Sequence, residues 1–243
     1  MSDPNGIIMQ AFHAYIPDLE QHLQHLQEQA KALAQTGFTA VWLPRISTLR
    51  QQETPAASNA QALEAQYRQT VITLRSEGMQ VYSELPSELP SEFPNQLTDR
   101  LEVDGFCLDA ELSPGLRTQV LQQLPISESS LFVMSEYWTE KVENLHQYIQ
   151  ETQGQLSLLD VPLHFNFYRA SRAGGYYDMS KLLDNTLIQQ QSALAVTFVE
   201  SHRSQPLQPP TTLPESVVEP WFKPGASKRW GSTGSSTTGQ GVN

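Results

Sequence analysis

Cysteine is nearly missing from this chain of 243 residues. Cys107 stands alone, so no internal disulfide can form, and no Cys/His cluster has the spacing of a zinc site. Long apolar runs are missing too. No stretch approaches the ~18 consecutive apolar residues of a membrane-crossing helix, and Met1 to Gln10 lacks the charged and apolar regions of a signal peptide. Basic residues are few, 15 Lys and Arg against 26 Asp and Glu, for a formal charge of -11. With a pI near 4.9, a nucleic-acid backbone is excluded as an expected partner. Charged residues total only 17%, and glutamine, about as numerous as Asp and Glu together, fills much of the gap. These absences predict a reduced, soluble, cytoplasmic protein with no membrane contact. What remains, 39% apolar over 243 residues, suffices for one large domain or two small ones with a buried core.

The chain alternates between two hydrophobic periods. Ile7 to Phe12 is a short apolar run that predicts a first strand. Behind Pro17 and Asp18, residues Leu19, Leu23, Leu26, Ala30 and Leu33 recur at helical spacing, with Asp18 placed as N-cap and Gly37 as the stop. Phe38 to Leu43 predicts a buried strand closed by Pro44. The unit then repeats. A helix through Leu63, Tyr67, Val71 and Leu74 ends at Gly78, and Met79 to Ser83 follows as a strand. Further strands are predicted at Asp104 to Leu108, Leu131 to Ser135, Leu158 to Leu163 (the weakest) and Ala193 to Val199. Helices are predicted from Pro114 through Leu121, along Val142, Leu145 and Ile149, and from Met179 to Gln189. Alternation of this kind implies a parallel sheet of about seven strands covered by helices.

Two segments break the pattern. Ser83 to Pro94 repeats SELP-SELP-SEFP, and proline at every fourth position predicts an extended loop. Gly225 to Asn243 is rich in Gly, Ser and Thr, which predicts a disordered tail behind a domain spanning 1–224. Between them, the proline-rich link Gln205 to Pro214 precedes a small apolar island at Val217 to Phe222.

In a parallel β/α barrel, reactive groups lie where strands run out into loops. Four predicted strands end in a carboxylate here: Glu84, Asp109, Glu136, and Glu200 with His202 close behind. Acidic residues are also common in the first turn of helices, where they suit the dipole. Four strands aiming acids at one rim make the convergent reading stronger. Paired carboxylates about 5 Å apart are what retaining glycoside hydrolysis requires, one as nucleophile and one as acid/base. His22 and His25, three residues apart on the polar side of the first helix, read as a solvated face ahead of a metal site.

The string DGFCLDA, Asp104 to Ala110, resembles the DGFRLDA segment of α-amylase-type glycoside hydrolases (glycoside hydrolase family 13). Other segments agree in order: MQAF at Met9 to Phe12, GFTAVWLP at Gly37 to Pro44, SEYW at Ser135 to Trp138, LLDVPLHFNFYRASRAGGYYDM at Leu158 to Met179, and VEPWFKP at Val218 to Pro224. The resemblance implies a (β/α) TIM-type barrel. It implies Asp109 as catalytic nucleophile, Glu136 as general acid/base, and His202 as a contact for sugar hydroxyls. Tyr137 and Trp138 are implied as aromatic surface for a sugar ring, or as packing of the barrel rim. The implied ligand is an α-glucan or maltooligosaccharide.

The departures from the family pattern matter as much. The family's third carboxylate lies in an NHD string, which is Ser201-His202-Arg203 here. The arginine two residues before the nucleophile is Cys107, and Glu84, Glu88 and Leu89 stand where the family carries Asp and then Asn-His. The resemblance further implies an incomplete barrel, lacking the eighth strand, the calcium-binding subdomain and the C-terminal β-domain. No cofactor is expected, and loss of that subdomain leaves calcium in doubt. An open edge leaves room for a partner protein or a second copy, or for Val217 to Phe222 to fold over it. Two functions stay open: an α-glucan hydrolase with impaired catalysis, and a pseudoenzyme that binds glucan or protein.

Overall fold

The computed structural model describes residues 6–12, 16, 18–45, 57–85, 101–108, 120–122, 124 and 131–204. Seven strands form one parallel sheet: β1 (Ile8–Gln10), β2 (Ala40–Leu43), β3 (Gln80–Leu85), β4 (Gly105–Leu108), β5 (Phe132–Ser135), β6 (Ser157–Leu159) and β7 (Ala195–Val196). The helices are α1 (Leu19–Thr36), α2 (Ala57–Ser76), α3 (Val142–Glu151), α4 (Val161–Arg172) and α5 (Leu187–Gln191). Strand order follows chain order from β1 to β7, and the sheet curls into a partial barrel with edges at β1 and β7. The incomplete TIM-type barrel expected from the sequence is the fold observed. Among the described residues there is no eighth strand.

Period-two alternation sends each strand's residues to two different layers. Val41, Leu43, Val81, Leu85, Phe106, Leu108, Val133 and Leu158 face the helices and pack with Leu23, Leu26, Tyr67, Leu74, Leu145 and Ile149. The alternate residues Trp42, Cys107 and Met134 face the other way, and with Phe12 they fill the concave side. Both faces are buried, which is why these strands read as continuous apolar runs. Each fully buried Leu or Phe in these layers contributes about 1.5–3 kcal/mol.

Local signals set the element ends. Asp18 caps α1 by accepting the Gln21 N–H at 3.0 Å, and Gly37 ends it in the left-handed region at φ 104°. Gly105 admits no side chain, since a Cβ there would stand 2.1 Å from the Phe132 carbonyl oxygen on the neighbouring strand.

Four expectations are corrected. The strand expected at Leu158 to Leu163 stops at Leu159, because Asp160 caps α4 and Pro162 sits in its first turn. The helix expected from Met179 to Gln189 is two pieces, a 3-10 turn at Met179–Lys181 and then α5. Asn185 breaks it with φ 56°, and Thr186 then caps α5 by accepting the Gln189 N–H. The strand expected at Ala193 to Val199 shrinks to two residues. Ser83, Glu84 and Leu85, expected to open an extended loop, belong to β3.

Several expectations lie outside the described residues: Asp109, Glu88 and Leu89 with most of the SELP repeat, most of the helix from Pro114, and everything from Gln205 onward. The last includes Val217 to Phe222, the tail and the domain limit at 224.

Candidate active site at the strand ends

The concave face is polar at its C-terminal rim. Glu84 points into it from the penultimate position of β3, level with Cys107 on β4, which pairs with Met134 on β5. Glu136 follows β5 directly, and its backbone N–H donates to the Leu108 carbonyl at 3.2 Å, extending the ladder by one residue. Alternation therefore aims Glu136 inward, the way Met134 points. It is 1% exposed, and Glu84 is 8% exposed.

The turn after β7 brings the opposite charge. Ser201, His202 and Arg203 are all buried. The turn is tied within itself: the Ser204 N–H donates to the Ser201 carbonyl at 3.0 Å, and the Ser201 N–H donates to Ser204 Oγ at 2.9 Å. Arg203 Nε donates to Glu136 Oε2 in a buried ion pair. The His202 ring sits between two acids, Nδ1 at 3.8 Å from Glu136 Oε1 and Nε2 at 3.9 Å from Glu84 Oε1. Phe12 and Trp42 pack on the same imidazole, with ring centroids 5.1 and 5.6 Å away.

The structure thus brings together Glu136, His202, Glu84 and Arg203. Asp109 is outside the described residues, although β4 ends at Leu108 beside it. Tyr137 and Trp138 are seen in packing contacts. Tyr137 packs on Tyr148 in the helix-facing layer, and Trp138 packs on His164, Phe198 and the cluster of Leu159, Val161 and Phe165. Glu200 is exposed, so the convergence of four carboxylates is corrected in that member: β7 ends too early to direct it inward. Cys107 occupies an apolar niche with Trp42 and Met134 and is 1% exposed. His22 is not simply solvated, because its Nε2 donates to the Ala11 carbonyl at 2.5 Å; His25 stays exposed. No cluster of three metal-ligating side chains exists among the described residues.

Gln10, Phe12 and Trp42 were not singled out in the sequence. The available signal was a glutamine and two aromatics at strand positions whose alternation turns them toward the concave side.

A curled parallel sheet of seven strands in chain order is the architecture of a partial β/α barrel. No family model matches the chain. The α-amylase of Geobacillus stearothermophilus is 43% identical over 128 residues, 50% of this chain and 22% of that protein. The cytoplasmic α-amylase of Escherichia coli (strain K12) is 36% identical over 129 residues, 52% of this chain and 25% of that protein. Among solved structures, the γ-CGTase of alkalophilic Bacillus clarkii is 13% identical with a TM-score of 0.48, covering 82% of this chain and 43% of that one. Over half its length the chain is similar to α-amylases, and it spans about a quarter of the length of the curated relatives it matches.

Proposed function

We propose that this chain is a glycoside hydrolase homologue of α-glucan metabolism that binds glucan at the strand-end rim and cleaves it poorly or not at all. The observation that carries the reading is the buried pair between Arg203 and Glu136. By resemblance Glu136 is the general acid, and a general acid must hold a proton until the leaving oxygen needs it. A guanidinium at hydrogen-bond distance favours the carboxylate over the carboxylic acid. Loss of general acid catalysis alone is worth about 10²–10⁴ in rate. Position 203 is also where the family carries its third carboxylate, whose removal weakens transition-state binding further. At position 107 a buried thiol replaces the arginine that would neighbour Asp109, so the positive charge has moved from one carboxylate to the other. Both relatives described above are named α-amylases, which supports an α-glucan as ligand. One is named a cytoplasmic enzyme, which supports the cytoplasm as compartment.

The test is hydrolysis of a blocked maltooligosaccharide by the whole chain, with calorimetric titration of maltoheptaose beside it. The wild type is expected to bind sugar and match the blank in hydrolysis. Arg203→Asp combined with Cys107→Arg is expected to release sugar at least tenfold faster than wild type. Hydrolysis by the wild type that vanishes in both Asp109→Asn and Glu136→Gln would show an active enzyme and overturn the reading. A module held by a protein partner is favoured by the open edge, where Ile7 and Val199 are 56% and 66% exposed. A clean monomer in light scattering at high concentration with intact glucan binding would dismiss it.

A further inference from the structure

Among the described residues the sheet has edges at β1 and β7, yet the residues that follow β7 sit against the end of β1. Strand pairing does not put them there. The β6–β7 ladder fixes the chain only as far as Val196, six residues before His202. Beyond it, besides the packing of Phe198 and the contacts of the His202 and Arg203 side chains, the backbone is tied at Val199, whose carbonyl lies 2.6 Å from His164 Nδ1, and at His202, whose N–H donates to Gln10 Oε1 at 3.2 Å. The second tether spans 192 residues and crosses the open side of the barrel.

We propose that Gln10 is a positioning residue, a clasp from β1 that holds the His202–Arg203 turn over the open side and so keeps both side chains against Glu84 and Glu136. Both ends of its amide are engaged. Nε2 donates to the Phe12 carbonyl at 3.0 Å, which turns Oε1 toward the His202 N–H. That orientation needs a donor and an acceptor on one planar group, a requirement that glutamine meets and that leucine, methionine or glutamate does not. The Ser201–Ser204 hydrogen bonds make the turn a unit, so a contact at its second residue places the third. Phe12 and Trp42 hold the imidazole, and Gln10 holds the backbone of the same residue. The site therefore depends on a strand that supplies no group to the chemistry itself. The inference concerns the rim geometry and stands whether or not the rim cleaves glucan.

The test uses amide hydrogen exchange and imidazole NMR on the full chain, comparing wild type with Gln10→Met, which keeps length and removes both polar ends. The His202 amide is expected to be protected in the wild type and to exchange at least tenfold faster in the variant. The Ala11 amide, which donates to the Trp42 carbonyl within the β1–β2 pairing, is expected to keep its rate. The His202 ring signals are expected to shift, while those of His164 stay. An unprotected His202 amide in the wild type, or unchanged His202 signals in the variant, overturns the proposal. Equal acceleration at Ala11 and His202 also overturns it, because Gln10 would then contribute only general stability. If Gln10→Met does not fold, Gln10→Glu replaces it: the acceptor remains, the donor to Phe12 is lost, and intermediate protection of the His202 amide is expected. Protection equal to wild type there refutes the two-ended clasp.

Discussion

Asp160 is fully buried, and its carboxylate accepts three backbone N–H groups. Oδ1 takes Leu163 and Leu187, each at 3.1 Å, and Oδ2 takes Ile188 at 2.7 Å. One side chain thus caps α4 and also anchors the first turn of α5, 27 residues away. A hydrogen bond to a charged group is worth about 1.5–3 kcal/mol, so the three together offer roughly 4.5–9 kcal/mol. Burying the carboxylate opposes this by several kcal/mol. Asp160→Ala removes the gain and the cost together but leaves three donors without a partner, for a net loss of about 3–5 kcal/mol. Asp160→Asn keeps Oδ1 and turns an NH₂ group toward the Ile188 N–H, for a loss of about 2 kcal/mol. Urea denaturation followed by far-UV circular dichroism reads both differences as midpoint shifts at constant slope. Domains of this size have only ~5–15 kcal/mol of total stability, so the alanine variant is expected to be visibly fragile. An alanine variant within about 0.5 kcal/mol of wild type would refute the assignment of Asp160 as a double cap.

Three further predictions follow from other positions. Gly105→Ala drives a methyl group into the Phe132 carbonyl, a backbone atom that no rotamer change can relieve, and is expected to cost at least the ~1–3 kcal/mol of ordinary overpacking in the same denaturation assay. Burial beside Trp138, Phe165 and Phe198 holds the His164 pKa below 6.5, with the Val199 carbonyl partly offsetting it. The unfolded chain therefore binds a proton that the folded chain refuses. Stability from this group is whole above pH ~6.5 and falls as the pH drops below it, and His164→Gln is expected to remove that part of the slope. Tyr67→Phe removes the buried hydrogen bond to Ser83 Oγ, 2.9 Å long, and is expected to cost about 1 kcal/mol by urea titration.

Much of the architecture was legible because a sheet buried on both faces writes continuous apolar runs, and a helix over it writes a 3.6 period. Each of the seven strands overlaps one of those runs, β6 and β7 only briefly. Legibility failed where short apolar runs were ambiguous between periods. Leu158 to Leu163 holds the end of a strand and the start of a helix, and the decisive residue is Asp160, whose role depends on partners far along the chain. Ala193 to Val199 reads as a strong final strand and pairs over only two residues, because a strand's length is set by its neighbour, and β6 offers only three. For the rim, sequence order marked Glu136, His202 and Arg203. It could not place Arg203 on Glu136 or put Gln10 under the turn, since those contacts follow from how far the sheet curls.

Because strand order equals chain order, every pairing in the sheet joins neighbours in sequence. The β1–β2 contact between Ile7 and Thr39 closes a loop of 32 residues, and the contact between Gln10 and His202 closes one of 192. From an unfolded chain the longer closure costs about 1.6 kcal/mol more entropy, since the cost grows as (3/2)RT ln n. That disadvantage shrinks as intermediate strands dock and shorten the open loop, so the rim is assembled after the sheet that carries it. Substitutions at Gln10, His202 or Arg203 should then leave the folding rate nearly untouched and act on the rate of unfolding. The polar end of this barrel is in that sense the last part to arrive and the first to leave.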